Sequence, residues 1–328
     1  NKAHSQTPAA KQSSISEPQK LAESLSDTDL NKRRDAAYKL ATMGKDALPA
    51  LDALIARLDD RDEQVWMQAV TAIGKIGPGA EKAIEPLCKT FADRSVQKRY
   101  RAAWAIGQIG ADALPILGER LTDASAAQRA GAIESLGWMR DNAKPATDLL
   151  TPLLEDENVN LRRLAVISLG KLGPSGHASL AFALSDDDPQ IKATAVRALG
   201  RADTFSTSLL QSMTKLTRDE DPAVRAAALT ALGRGMNDTG RLLDLLITGI
   251  QDPSPNVQGA ATYILHGIQG QTEVVISALS ELLKNEQRST RMAAARALGG
   301  LGQNAAESTD ALITALRSKG SQQNQAQA

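Results

Sequence analysis

Residues 225–233 read RAAALTALG, and residues 192–200 read KATAVRALG, the same phrase 33 positions earlier. Taking the closing glycine as a reference, equivalent positions fall at Ala41, Gly74, Gly107, Gly137, Gly170, Gly200, Gly233, His266 and Gly299. The intervals are 33, 33, 30, 33, 30, 33, 33 and 33 residues, so one supersecondary unit is repeated about nine times. Five residues before every reference stands Ala, from Ala36 to Ala294, and one before stands Leu or Ile, from Leu40 to Leu298. With a branched apolar residue common four before, offsets of one, four and five describe one helical stripe. A methyl-only position on that stripe marks close approach of a neighbouring helix.

Fourteen residues before the reference comes Asp in eight units and Asn285 in the last; two residues later stands a capping type such as Asp29, Asp62, Ser95 or Asn158. These second residues read as N-caps, and Pro189, Pro222 and Pro255 follow them at the first helical position, where no N–H is needed. Another apolar-periodic helix precedes the Asp, as in Leu48, Leu51, Leu54, Ile55 and Leu58. Each unit is therefore helix A, a short acidic turn, then helix B.

Eight before the reference the residue is basic in seven of nine units: Arg33, Arg99, Arg129, Arg162, Lys192, Arg225 and Arg291, against Trp66 and Gln258. One reading is a row of anion-binding arginines. The favoured reading is a structural ladder in which Asp60, Asp93, Asp123, Asp156, Asp186 and Asp219 hold backbone N–H groups and pair with Arg99, Arg129, Arg162, Arg225 and their equivalents in the same or the adjoining repeat.

A two-helix unit with a turn Asp, then Val224-Arg225, then Ala and Leu-Gly, resembles the HEAT repeat, and in particular the HEAT-like repeats of phycobilisome lyases and related bacterial proteins. The resemblance spans residues 18–317. It implies an all-α, right-handed α-α superhelix, a solenoid of about nine two-helix repeats closed by a C-terminal capping helix. It also implies that helix B lines the concave surface. Trp66, Gln258 and His266 depart from the pattern.

Residues 1–17, rich in Ser, Ala, Gln, Lys and Pro, are expected to form a flexible tether, and residues 318–328 a disordered tail. The polar leader and a start without Met suggest a periplasmic or secreted protein whose upstream segment has been removed; a cytoplasmic location is the alternative. Lys plus Arg (38) balance Asp plus Glu (38), which disfavours nucleic acid as a partner. No apolar run approaches the roughly 20 residues that cross a bilayer.

Catalytic chemistry finds little support. His4, His177 and His266 are the three histidines, none precedes Glu, and no Cys/His cluster suggests a metal. Glycines follow the repeat period and form no phosphate loop. Cys88 takes the helix A position of Ile55 and Ile247, as a small buried filler. No catalytic residue, cofactor or metal is expected. The function expected is a non-catalytic scaffold for a protein or peptide; a bilin lyase-like or DNA glycosylase-like HEAT enzyme using the same groove is the alternative.

All three Trp and all three Tyr fall on helix B by this reading, and they cluster toward the N-terminal half. Tyr38, Trp66, Met67, Tyr100, Trp104 and Trp138, with Arg34, Arg101 and Arg163, have the composition of a binding hot spot, so the helix B face of repeats one to four is the expected partner site. The competing reading is that these rings pack on one another.

Overall fold

The computed structural model describes residues 16–123, 125–140, 143–202, 204–267, 272–301 and 313. The expected tether, apart from Ser16 and Glu17, lies outside the described residues, as do His4, the C-terminal tail and all of the expected capping helix but Ile313. Among the described residues the helices follow one another in nine successive A–B pairs: α1 (Glu17–Ser24) and α2 (Leu30–Met43), α3 (Leu51–Ala56) and α4 (Glu63–Ile76), α5 (Ile84–Lys89) and α6 (Val96–Ile109), α7 (Leu114–Arg120) and α8 (Ala126–Leu136), then α9 (Ala143–Leu150) and α10 (Val159–Lys171). They continue as α11 (His177–Phe182) with α12 (Pro189–Leu199), α13 (Thr207–Leu216) with α14 (Pro222–Gly235), α15 (Thr239–Ile250) with α16 (Pro255–Leu265), and α17 (Thr272–Leu282) with α18 (Arg288–Gly300). No strand occurs among the described residues, so the chain is an all-α repeat fold. It divides into two compact units, Asn1–Leu149 and Leu150–Ala328.

The even-numbered helices pack side by side, α2 on α4 and α4 on α6 in the first unit, α12 on α14 and α14 on α16 in the second. Their seam is the alanine-leucine stripe. The alanine five before the reference is buried in all nine repeats, and so is the Leu or Ile one before it. Each such leucine contributes roughly 1.5–3 kcal/mol by leaving water. Because Ala adds only a methyl, neighbouring helices approach closely without a cavity.

Four odd-numbered helices, α3, α5, α7 and α11, are short, at six or seven residues. Gly44–Ala50, with Pro49 inside it, and Arg57–Asp59 are 3-10 turns flanking α3, and Thr90–Ala92 follows α5. Pro49, Pro86, Pro115 and Pro145 recur early in these segments. A proline has no N–H to donate and crowds the carbonyl four residues back, so a tighter turn precedes the regular helix.

The acidic turn is built identically along the chain. Asp27 Oδ1 accepts the N–H of Asp29 at 2.8 Å, Asp60 that of Asp62 at 2.9 Å, Asp93 that of Ser95 at 2.7 Å, and Asp219 that of Asp221 at 3.0 Å; Asn285 receives the N–H of Gln287 at 2.9 Å in the last repeat. The next residue then caps the helix: Asp62 accepts from the N–H of Val65 and Asp221 from those of Ala223 and Val224. Ser125, Ser254 and Gln287 stand at the cap position without a side-chain bond to a backbone N–H of the helix, although Gln287 accepts from the Thr290 hydroxyl at 3.4 Å. Three residues after the reference, Gly44, Gly77, Gly110 and Gly173 take φ between 60° and 86°, the left-handed region in which a Cβ is strained.

Candidate functional site

The ladder is structural. Arg225 donates from Nε and Nη2 to Asp252 of the next repeat at 2.7 and 2.8 Å, and from Nη1 to the carbonyls of Asp219 and Glu220 in its own turn, both at 2.9 Å. Arg162 pairs in the same way with Asp186 at 2.9 and 3.3 Å, Lys192 reaches Asp219 at 2.5 Å, and Arg33 reaches Asp60 at 3.2 Å. Arg99 and Arg129 donate to the carbonyls of Asp93 and Asp123 in their own turns, at 2.7 and 2.8 Å. Each ladder arginine thus closes its own acidic turn, while Arg33, Arg162, Arg225 and Lys192 hold the next one. Gln258, a departure from the basic pattern, still donates to the carbonyl of Asp252 at 2.8 Å.

Two expected partner-binding residues belong to this frame instead. Arg34 Nη2 and Nε donate to the two carboxylate oxygens of Asp62, at 2.7 and 3.1 Å, a bidentate pair joining the first repeat to the second. The Arg34 guanidinium holds the Asp62 carboxyl down at about 2. Trp66 is only 3% exposed, with Lys98 Nζ 5.2 Å from the centre of its ring, so its face is covered by that cation. Its place in the repeat is the ladder position, which points toward the next turn. Arg163 is not part of the frame: it lies exposed in the second unit, away from the first-unit aromatic residues in sequence, and donates to Asn160 on its own helix at 3.1 Å.

The remaining residues do gather in the first unit. Tyr100 and Trp104 stand one turn apart on α6, as Tyr38 stands one turn from Arg34 on α2, and i, i+4 neighbours share a helix face. Tyr38 is 59% and Tyr100 45% exposed, while Met67, Arg101, Trp104 and Trp138 are half-buried. Trp138 lies in the turn after α8, not on a helix, because α8 ends at Leu136. Tyr100 meets it edge to face, ring centres 5.5 Å apart at 83°. Trp104 is fixed differently: a Cβ on Gly74 would come within 2.5 Å of its ring, so the indole lies across the bare backbone of the preceding repeat. Gly107 likewise lies under Trp138, whose Cβ would be 2.3 Å from an added methyl. A cleft of about 420 Å³ opens beside Trp138, lined also by Pro78, Gln108, Asp112 and Arg140. Neighbouring rings therefore pack on one another and are exposed at once. The reference glycine is the sequence signal for that packing.

His266, in place of the reference glycine, sits at the end of α16 with Nε2 3.2 Å from the Ala297 carbonyl and the ring against Gly300. Cys88 is buried, and burial pushes its thiol up to about 12, in keeping with a filler role. Among the described residues no helix is long and apolar enough to cross a membrane.

A family model described as HEAT repeats matches residues 18–99, 84–170, 177–241 and 242–328. A search of curated proteins finds no match. Among solved structures, the complex of CpcE and CpcF of phycocyanin lyase from Nostoc sp. PCC7120 is 22% identical, covering 74% of this chain and 98% of that one, with a TM-score of 0.35. Importin beta is 15% identical over 87% of this chain and 46% of its own, with a TM-score of 0.48. A chain of the Kap95:Nup1 complex is 12% identical over 92% of this chain and 48% of its own, with a TM-score of 0.50. Identities of this size speak to the fold alone.

Proposed function

Because the chain belongs to the HEAT-repeat family, we propose that it is a non-catalytic scaffold that binds a protein or peptide on the even-helix face of its first unit. The observation that carries the reading is the aromatic set of the first unit: exposed Tyr38 and Tyr100, with Tyr100 edge to face on Trp138 and the Trp104 ring laid across Gly74. Aromatic anchors with a polar tip dominate interface energetics, and anchors ordered beforehand lose little entropy on binding. Arg101 and Met67 extend the patch with a cation and a pliable apolar chain. A chain of similar fold stands in the Kap95:Nup1 complex, which fits a role in holding another protein.

Tyr100→Ala and Trp104→Ala, each compared with Asp244→Ala on the exposed side of α15, test this. Capture of partners from an extract of the source cell is expected to fall at least tenfold for the two aromatic variants and to hold for the control, with far-ultraviolet circular dichroism unchanged. Equal capture by all three, with helicity intact, would refute the reading.

A further inference from the structure

Asp93 is the one turn carboxylate that follows a ladder position without a cation, Trp66; in the last repeat the uncharged Gln258 precedes an uncharged Asn285. In the filled rungs the cation of the preceding repeat enters the next turn and covers the Asp: the carboxylates of Asp60, Asp186, Asp219 and Asp252 are left only 5%, 8%, 10% and 12% exposed. At Asp93 the preceding repeat offers Trp66 instead, which has no charge to give. Asp93 Oδ1 still takes the N–H of Ser95, but its other oxygen meets Lys98 Nζ at a long 3.8 Å and the side chain is 36% exposed. A cleft of about 510 Å³ opens at this place, walled by Ile55, Leu58 and Pro86, with Trp66, Asp59 and Asp93 lining it. Lys89 and Lys98 line it too, and Lys98 stands over the Trp66 ring.

We propose that this cleft accepts the guanidinium of an arginine side chain from a polypeptide partner, in the position that the missing ladder cation leaves open between the second and third repeats. The repeats themselves supply the template. Arg162 and Arg225 show that such a carboxylate, held by its turn, receives a guanidinium through two parallel hydrogen bonds. Trp66 adds what those rungs lack, an aromatic face already occupied by a cation. A planar, weakly hydrated guanidinium stacks on indole better than the ammonium of Lys98, so an arriving arginine displaces Lys98 from both the ring and Asp93. The cleft lies at the turns joining odd to even helices, apart from the aromatic surface, so its fate is independent of the function proposed above.

The full chain carrying 5-fluorotryptophan gives three fluorine resonances, and Trp66→Phe assigns one of them. Titration with acetyl-Gly-Arg-Gly-amide is expected to move that resonance saturably, and the citrulline counterpart, equal in shape but uncharged, is expected to leave it in place. Asp93→Asn keeps the turn, since Asn285 makes the same bond in the last repeat; it is expected to weaken the arginine peptide at least tenfold. Lys98→Ala is expected to strengthen it by removing the resident cation. A Trp66 resonance that stays fixed, that responds equally to citrulline, or that responds unchanged in Asp93→Asn overturns the proposal.

Discussion

Two glycines show how the same residue type answers to different constraints. A Cβ on Gly131, inside α8, would fall 2.2 Å from the ring of Phe91, which is fully buried and cannot retreat. Gly131→Ala gains about 1 kcal/mol of helix propensity but forces overpacking worth about 1–3 kcal/mol, so a net loss of stability is expected. Gly259, inside α16, is exposed and has open space where its Cβ would stand. Gly259→Ala is expected to raise stability by about 0.5–1 kcal/mol. Urea denaturation of the two variants beside the parent measures both signs. The contrast also marks a limit of reading residues in order: nothing in the local sequence around residue 131 shows that Phe91, forty positions earlier, lies over it. Trp66 is hard to place from sequence for a related reason. Its type suggests a hot spot, yet its ladder position directs it under Lys98.

At the level of the helix and its turn, Arg34 and Asp62 combine two duties in one carboxylate: capping α4 and tying it to α2. The Asp62 carboxyl titrates at about 2 in the fold, below its ordinary value of 3.8, chiefly because Arg34 hydrogen-bonds its charged form. A carboxyl with a lowered folded pKa stabilises above its unfolded value, and that contribution disappears as pH falls from about 4 through about 2. Asp62→Asn can still cap the helix through its amide oxygen but cannot form the ion pair. The parent is therefore expected to exceed this variant in stability at pH 7, with the gap closing between pH 4 and pH 2, as read from urea midpoints across that range. The repeat period and the Asp at its start made the turns, caps and most of the ladder legible before any coordinates. Arg34 was not, because it sits seven before the reference, where other repeats carry Met67, Tyr100 or Ala130 with no shared chemistry.

For the molecule, stacked repeats mean that stability spreads by nearest neighbours rather than through one centre. Arg225→Ala removes the pair with Asp252 and the bonds to two carbonyls at a position only 13% exposed, leaving a part-buried carboxylate without its partner. A loss of about 2–4 kcal/mol is expected. All three tryptophans, Trp66, Trp104 and Trp138, belong to the first unit, and Arg225 to the second. Circular dichroism is therefore expected to report an early helical loss in urea for this variant, while tryptophan fluorescence keeps the parental midpoint; coincident shifts in both signals would show coupling beyond adjacent repeats. The number of helix pairs, their order and their apolar seam followed from spacing alone. Which aromatic rings stay accessible did not, because accessibility depends on what the neighbouring repeat lays across each ring.

The one sulfhydryl offers a last, practical consequence. Cys88 is sealed among apolar side chains and kept protonated to about pH 12, whereas maleimides and iodoacetamides attack the thiolate. Native protein should therefore resist such reagents at neutral pH, and a cysteine introduced on an exposed odd helix would become the single addressable handle. Dyes, spin labels or surface tethers could then be attached one per molecule without first replacing any natural residue.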